Sequence, residues 1–135
     1  MTLGELRAAV AAALEDVTVD GDPVDVFDTP YDAVTPPALM VLWGPDPWLT
    51  VETSSGFGTF CTYAAALEVI CVADRLTPEG NYPVLEQLVD GALTALGAAR
   101  FRPVQALAPG PFEIAQVTYL AARLHIRQPV VTGGP

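Results

Sequence analysis

The sequence contains no lysine, and its six arginines face sixteen acidic residues, which gives a formal net charge of −10. A protein that binds duplex nucleic acid neutralises phosphates with cations, so this composition argues against nucleic-acid binding by charge. The acids are concentrated in residues 1–60, which hold ten acids and one arginine, whereas residues 61–135 hold six acids and five arginines. We therefore expect one strongly negative end of the molecule.

Residues that bind metals or form disulfides are also scarce. The chain has one histidine, two cysteines and no Cys-x-x-Cys pair, so a zinc site has no ligand set. Cys61 and Cys71 stand in one β-like run, where a straight strand would separate them by more than about 30 Å. They cannot form a disulfide at that distance. We interpret both as small buried hydrophobes and predict no cofactor.

Long apolar runs are absent as well. No stretch approaches the roughly 18 to 20 uninterrupted apolar residues that a membrane span requires. The first five residues carry Glu5 where a secretory signal would carry basic residues. We expect an intracellular protein with no membrane partner.

Candidate catalytic residues are few. His125 stands between Arg123 and Arg127, and no serine or cysteine can be assigned to it from the sequence, which favours a surface or interface histidine. The acids in residues 20–22 lack the spacing and terminal glutamate of a calcium loop. Residues 56–58 lack the third glycine of a dinucleotide fingerprint. We predict that the chain is not an enzyme.

Two amphipathic helices are predicted. Thr2 and Glu5 form a capping box before apolar residues at spacings of three and four, which predicts a helix over residues 3–15. Asn81 as the cap, Pro83 in the first turn and Gly97 as the stop predict a second helix over residues 82–96.

The remaining pattern is extended. A short strand is predicted at residues 24–27, and residues 38–43 and 48–52 are expected to form a hairpin around the turn at 44–47. A long strand follows at residues 60–73. After the second helix, a strand at 101–108, a turn at 109–111 and a strand at 112–127 with its even positions apolar complete the pattern.

These elements predict an α+β fold, in which an antiparallel or mixed β-sheet carries two α-helices on one face. We expect a single domain over residues 1–128. Residues 129–135 are expected to form a C-terminal tail that is disordered or docked on a neighbour.

Several residues are candidates for an interface. Residues 60–73 present two apolar faces, which suggests that one meets the helices and the other meets something else. Glu68 lies in the second face and needs a partner, for which Arg123 is a candidate. Trp43 and Trp48 bracket a turn, either as core anchors or as an exposed aromatic pair. The small, polar loop at residues 53–59 is able to fold on a partner, and its candidates are Ser55, Gly56, Phe57 and Gly58.

The arginines of the C-terminal half form a further candidate patch. They would cluster if the last two strands paired as a hairpin through residues 109–111. Such a patch would meet the acidic end of a neighbouring copy, as in a head-to-tail ring. Its members are Arg100, Arg102, Arg123 and Arg127.

The order of these features resembles that of the tail terminator subunits of long-tailed, siphovirus-type bacteriophages. The resemblance covers residues 2–128 and rests on a general pattern. Its parts are the capped N-terminal helix, the acidic proline-rich loop, the Pro-Ala-Leu-Met-Val strand with its Trp-Gly-Pro turn, the long strand at 63–71, the helix with a glycine stop and the closing strand at 119–124. The lysine-free composition is also similar to that of a phage of a high-GC actinobacterial host.

The resemblance implies a virion protein of the tail neck, assembled in the host cytoplasm. Such a subunit forms a hexameric ring on the head-proximal end of the tail tube, stops tube polymerisation and meets the head connector or stopper protein. DNA would pass through the ring without specific binding, along a lumen for which the acidic candidates are Asp20, Asp22, Asp25 and Asp28.

Two other classes remain open. Another neck protein, such as a connector or stopper subunit, would share the virion context. A small α+β enzyme or ligand-binding domain would need a pocket with convergent polar groups.

Overall fold

The computed structural model describes residues 2–28, 34–54 and 60–133. Two helices and nine strands make up this part of the chain, and the fold is α+β with a mixed sheet, as predicted. Their order is α1 (Leu3–Ala13), β1 (Thr18–Val19), β2 (Asp22–Pro23), β3 (Asp25–Phe27), β4 (Ala38–Trp43), β5 (Leu49–Ser54), β6 (Phe60–Arg75), α2 (Tyr82–Ala98), β7 (Pro103–Ala106), β8 (Gly110–Ile114) and β9 (Val117–Gly133).

The helices begin where the sequence predicts, but both end differently: α1 ends at Ala13, two residues before the predicted end, and α2 continues past the predicted stop. Thr2 Oγ1 accepts the backbone N–H of Glu5 at 3.1 Å, which confirms the cap of α1. Asn81 stands at the N-cap of α2, but its side chain makes no capping hydrogen bond; its amide nitrogen donates to Asp74. The helix runs through Gly97 to Ala98, and the left-handed residue that ends it is Arg100, at φ 66°. The backbone N–H of Phe101 then bonds the Leu96 carbonyl.

Strands β6 and β9 are the two central strands of the main sheet. They pair antiparallel from Phe60 opposite Gly133 to Arg75 opposite Tyr119. Residues 129–133, which were predicted to be a disordered or docked tail, therefore continue β9 within the same chain.

The predicted hairpin of β4 and β5 is wrong. Both strands run antiparallel to β6 along the same edge, with Trp43 opposite Leu67 and Leu49 opposite Ala65. The segment between them is a bulge, in which the Gly44 N–H bonds the Ala66 carbonyl at 2.8 Å and the Ala66 N–H bonds the Trp48 carbonyl at 2.7 Å. The backbone of Ala66 thus bonds the residues on both sides of the bulge, and β5 continues in the same direction as β4.

The last turn is also misplaced in the prediction. The chain reverses at Ala115 and Gln116, with φ of 49° and 68°, so β8 is separate from β9. Two positive φ values match a two-residue type I′ turn. The same geometry, at Asp20 and Gly21, joins β1 to β2, a hairpin that the sequence did not predict.

The sheet has two buried faces. The helices cover one face, which includes Ala65, Leu67, Val69, Cys71 and Ala73 of β6, and this confirms that both helices pack on one face. The even positions of β9 from Leu120 to Ile126 point to the same side. Phe112 and Ile114, predicted on that apolar face, pack instead on the opposite side, because the turn changes the alternation.

Side chains of the same chain cover much of the second face of the sheet. Ile70 and Val72 are buried in a cluster with Val34, Met40 and Tyr119. The expectation that this face meets something else is therefore wrong for these residues of β6.

One end of the sheet consists of β5 and the paired ends of β6 and β9. Residues 60–64 of β6 pair there with 129–133 of β9 and with β5, and the helix-side core reaches into this part at Val130 and Leu49. At about 3.3 Å per residue, five residues span roughly 16 Å. We call β5 with these two strand ends the arm.

Candidate functional site

A polar cluster lies on the sheet face away from the helices. Glu68 of β6 stands opposite His125 of β9, and its Oε2 lies 3.2 Å from His125 Nε2. Its Oε1 lies 3.6 Å from Arg123 Nε, which confirms Arg123 as the predicted partner. The Glu68 side chain is 12% exposed, so it is a mostly buried acid with two partners.

The contacts of His125 indicate which tautomer of the neutral ring they suit. Gln105 Nε2 lies 3.1 Å from His125 Nδ1, and an amide nitrogen can only donate, so Nδ1 accepts. The Glu68 carboxylate can only accept, so Nε2 carries the hydrogen. Both ring nitrogens are engaged, and neither is free to act as a base in this arrangement.

Arg123 connects the cluster to β8. Its guanidinium carbon lies 5.1 Å from the centroid of the Phe112 ring, within the range of a cation–π contact. The cluster therefore ties β6, β7, β8 and β9 together through side chains.

A groove opens beside the cluster. It has a volume of about 290 Å³. His125, Gln105 and Arg127 line one side, and the bulge residues Asp46 and Pro47 line the other. Among the described residues, no group of three or more histidine, cysteine, aspartate or glutamate side chains could hold a metal ion.

The other arginine candidates are more exposed. Arg127 Nη1 lies 3.4 Å from Thr50 Oγ1, so its guanidinium reaches across β6 to β5. Arg100 and Arg102 are exposed ahead of β7. Because Pro103 pairs with Ile126, Arg102 and Arg127 lie at the same end of the β7–β9 pair.

The two tryptophans contact each other across the bulge. Their ring centroids are 4.9 Å apart with the planes tilted by 50°. Trp43 packs against the helix-side core, and both rings are half-buried. The core-anchor interpretation therefore holds for Trp43.

The acidic candidates lie far from the arm. Asp20, Asp22, Asp25 and Asp28 are all exposed. Asp25 is opposite Ala38, which in turn pairs with Val72, nine residues from Tyr63 of the arm. At about 3.3 Å per residue this separation is roughly 30 Å. Asp25 therefore lies toward the end of the sheet away from the arm, whereas Asp46 and Glu52, which are also acids of residues 1–60, lie in the bulge and in β5.

Four interface candidates lie outside the described residues, and one residue of the polar cluster was not predicted from the sequence. Ser55, Gly56, Phe57 and Gly58 lie outside the described residues, in the connection between β5 and β6. Gln105 was not singled out in the sequence, because a bulge between Pro103 and Gln105 shifts the alternation of β7 and hides which face the residue occupies.

This fold belongs to the α+β class, with a two-sided mixed sheet and both helices on one face. No protein-family profile matches the chain, and the curated proteins contain no significant match. No helix in the described residues is long and apolar enough to cross a membrane.

Proposed function

We propose that the chain is a structural subunit of a phage tail, of the tail terminator type, and not an enzyme. In this role it forms a ring at the head-proximal end of the tail tube, ends tube polymerisation and joins the tail to the head connector or stopper protein. Its partners are other copies of the same chain, in a hexamer, and the major tail tube protein. It works in the neck of the virion, after assembly in the host cytoplasm.

The observation that carries this proposal is the arm. The 16-residue β6 is roughly 53 Å long at about 3.3 Å per residue, whereas the 17-residue α2 spans only about 26 Å. Among the described strands β5 pairs only with β6, so its outer edge is open to a neighbour. On the arm, Val51 is 57% exposed, as expected for a surface that a neighbour covers.

The charge distribution supports the same role. The exposed acids of β1 to β3 lie at the end away from the arm, so a ring with arms as contacts leaves this end free. If Asp20, Asp22, Asp25 and Asp28 line the lumen, they repel the DNA phosphates and let the DNA pass without binding. Arginine substitutions at these four positions that leave DNA ejection unchanged would count against the lumen assignment.

The test is the mass of the purified chain with and without preassembled tail tubes, by light scattering and negative-stain imaging. A closed ring of about 85 kDa, six times the 14.2 kDa chain, or a cap that halts tube growth is the expected result. A chain that ignores tubes but binds the head connector would favour a connector or stopper subunit. A monomer that binds neither would contradict the proposal.

A further inference from the structure

One side of the main sheet ends in a step. β4 and β5 follow each other along the same side of β6, and β3 lies outside β4 alone. The outermost strand is therefore β3 at one level of the sheet and β5 at the next, with β3 one strand further out. Among the described strands, neither β3 nor β5 pairs with another strand on its outer side. Unpaired edges of this kind are templates for pairing with a further strand.

Prolines block the opposite side of the sheet but not β5. The Leu107 N–H bonds the Arg123 carbonyl, so the odd-numbered residues of β9 turn their backbone groups to β7 and β8. Pro103 and Pro111 stand opposite even-numbered residues, so their own backbone turns outward, where neither offers an N–H to a neighbour. β5, at Leu49–Ser54, is longer than β7 or β8 and contains no proline.

The outward backbone groups of β5 belong to Leu49 and Val51. The Trp48 carbonyl turns to β6, where it accepts the Ala66 N–H at 2.7 Å. Backbone direction alternates along a strand, so Thr50 also bonds β6. Leu49 and Val51, on either side of Thr50, therefore turn their N–H and C=O groups away from β6.

On β3 the outward residue is Val26. Its partner Leu39 turns its backbone groups to β3, because the even-numbered residues of β4 bond β6. In a parallel pair such a residue bonds the two neighbours of the residue opposite, here Asp25 and Phe27. Val26 therefore turns its N–H and C=O away from β4.

A groove follows the outer edge of β3 and has a volume of about 480 Å³. The residues that border it in and just after α1 are Ala8, Ala11, Ala12 and Glu15. Their small side chains leave room for a strand between α1 and β3. Asp25 and Asp28 line the groove as well, and neither they nor Glu15 forms an ion pair within the described residues. A strand that brings a cation would complement these acids.

We propose that the β5 edge of a second copy of this chain fills the groove and pairs antiparallel with β3, and that β5 of the first copy pairs in the same way with β3 of the second. β3, β4 and β5 all run in one direction, because β3 is parallel to β4 and both β4 and β5 are antiparallel to β6. A two-fold axis perpendicular to the sheet makes both contacts antiparallel and fits the two steps together. The two sheets become one.

The charges select the register of this pairing. Arg127 Nη1 lies 3.4 Å from Thr50 Oγ1, on the face away from the helices, and Arg127 forms no ion pair within the described residues. Asp25 points to the same face, because it pairs with Ala38 of the cluster there. Asp25 opposite the partner's Thr50 forms a close cross-strand pair and reaches the partner's Arg127. A shift by two residues would place Asp25 opposite Glu52, where like charges repel.

The same register pairs apolar residues on the helix side. Val26 stands opposite the partner's Leu49 and Val24 opposite the partner's Val51. Leu49, Val24 and Val26 all belong to or pack against the helix-side core. Val51 is 57% exposed in the single chain, and in the dimer it lies against the alanines of the partner's α1. Burial of this side chain adds to the backbone hydrogen bonds of the two edges.

The dimer and the proposed ring exclude each other at the arm. Both use the outer edge of β5, so a subunit leaves the dimer before it joins a ring. In this respect the inference rests on the proposed function: the dimer is the form of the chain in the absence of tail tubes.

The test exchanges two charges. Asp25→Arg and Arg127→Glu each oppose like charges at both contacts, and we expect dimerisation to weaken at least about tenfold for each. The double variant restores opposite charges and should dimerise within about threefold of the wild type. Within one chain the two residues lie at the levels of Val72 and Ala66, about 20 Å apart along β6, so the rescue requires a contact between copies.

Sedimentation velocity without tubes measures the dimer, which has a mass of about 28 kDa, twice the 14.2 kDa chain. Asp90→Arg is the matched control. It makes the same change of charge as Asp25→Arg at an exposed position of α2, away from β3 and β5, and should leave dimerisation unchanged.

A second pair of variants tests the backbone contact. Val51→Pro removes an outward N–H, whereas Val51→Ala keeps it and removes most of the same side chain. We expect Val51→Pro to dimerise at least about tenfold more weakly than Val51→Ala, because two hydrogen bonds are lost in each dimer. In the wild type, amide hydrogen exchange at Val26, Leu49 and Val51 should slow as the protein concentration rises, and this readout needs no substitution.

Three results would overturn the inference. They are a wild-type chain that stays monomeric up to about 1 mM, a double variant that is not rescued, and a ring that closes without tubes and is unaffected by Asp25→Arg. A monomer that caps tubes contradicts only the dimer and leaves the proposed function intact. A dimer that never caps tubes contradicts only the proposed function.

Discussion

The Tyr119 hydroxyl donates a hydrogen bond to the backbone carbonyl of Val34, at 3.4 Å, across 85 positions of sequence. Both residues are buried in the cluster on the face away from the helices. This bond anchors the segment before β4 over the sheet and satisfies a carbonyl that the surrounding apolar side chains cannot.

Tyr119→Phe tests that anchor. The substitution keeps the ring and removes the donor, so the Val34 carbonyl loses its partner, and we expect the free energy of unfolding to fall by about 1 kcal/mol. Urea denaturation measures the change. Tyr82→Phe is the control, because Tyr82 is half exposed and should change stability by less than about 0.5 kcal/mol. Equal effects for the two variants would contradict the role given to the hydroxyl.

The polar cluster gives a second prediction. Glu68→Leu removes the acceptor of the His125 Nε2–H and the ion pair of Arg123, and we expect a loss of about 1–2 kcal/mol of unfolding free energy, mostly from the histidine. The Arg123 side chain is 43% exposed, so its pair contributes little. Chemical denaturation measures the loss.

The control for this cluster is Arg127→Leu. Arg127 is exposed, so water can replace its hydrogen bond to Thr50, and we expect less than about 0.5 kcal/mol. The ¹⁵N shifts of the neutral His125 ring provide a readout independent of stability: they should show the hydrogen on Nε2. A hydrogen on Nδ1 would contradict the hydrogen-bond assignment.

Local patterns predicted the helices well and the chain reversals poorly. The capping box and the apolar spacing of α1 are properties of neighbouring residues, so residues 3–14 alone contain the information. The reversal at Ala115 and Gln116 has no such signature, since neither residue is a glycine or asparagine that favours positive φ. There the long pairing of β9 with β6 and β8 determines the conformation, which no short window of sequence reports.

Proline-rich segments were misleading for the same reason. Residues 44–47 and 109–111 have the composition of a turn, and both were predicted to reverse the chain. The structure uses the first as a bulge in a continuing edge, where the deciding contact is with Ala66 on another strand. By contrast, the pairing of Glu68 with Arg123 could be predicted, because a charged residue in an apolar face requires an opposite charge.

Cys71 gives a pH prediction. Burial raises the pKa of its thiol to about 12, from an ordinary value near 9.0. Below pH 9 the thiol is protonated in both states and has no effect. Between pH 9 and 12 it ionises only in the unfolded chain, so the unfolding free energy should fall by about 1.4 kcal/mol per pH unit from this group.

The comparison variant for this effect is Cys71→Ala. Its stability is lower at neutral pH because a buried side chain is truncated, but it lacks the ionisation. The four tyrosines, which titrate in the same range, are common to both chains and cancel in the difference. The stability difference between the wild type and the variant should therefore shrink as pH rises above 9. Parallel curves would contradict the burial of the thiol.

Substitution of two glycines by alanine should change the stability of the fold in opposite directions. A Cβ on Gly44 would lie 3.1 Å from the Cβ of Ala66 and 3.2 Å from its carbonyl atoms, which the β6 ladder holds in place. Gly44→Ala should therefore destabilise the fold by about 1–3 kcal/mol, as overpacking does. A Cβ on Gly97 would meet nothing within 4 Å, and this glycine lies inside α2, where alanine is favoured by about 0.5–1 kcal/mol. Gly97→Ala should therefore stabilise the fold, and thermal and urea unfolding of the two variants measures both effects. A neutral effect of Gly44→Ala on stability would mean that the bulge can move away from Ala66. The close approach of the bulge to β6 would then not explain the glycine at this position.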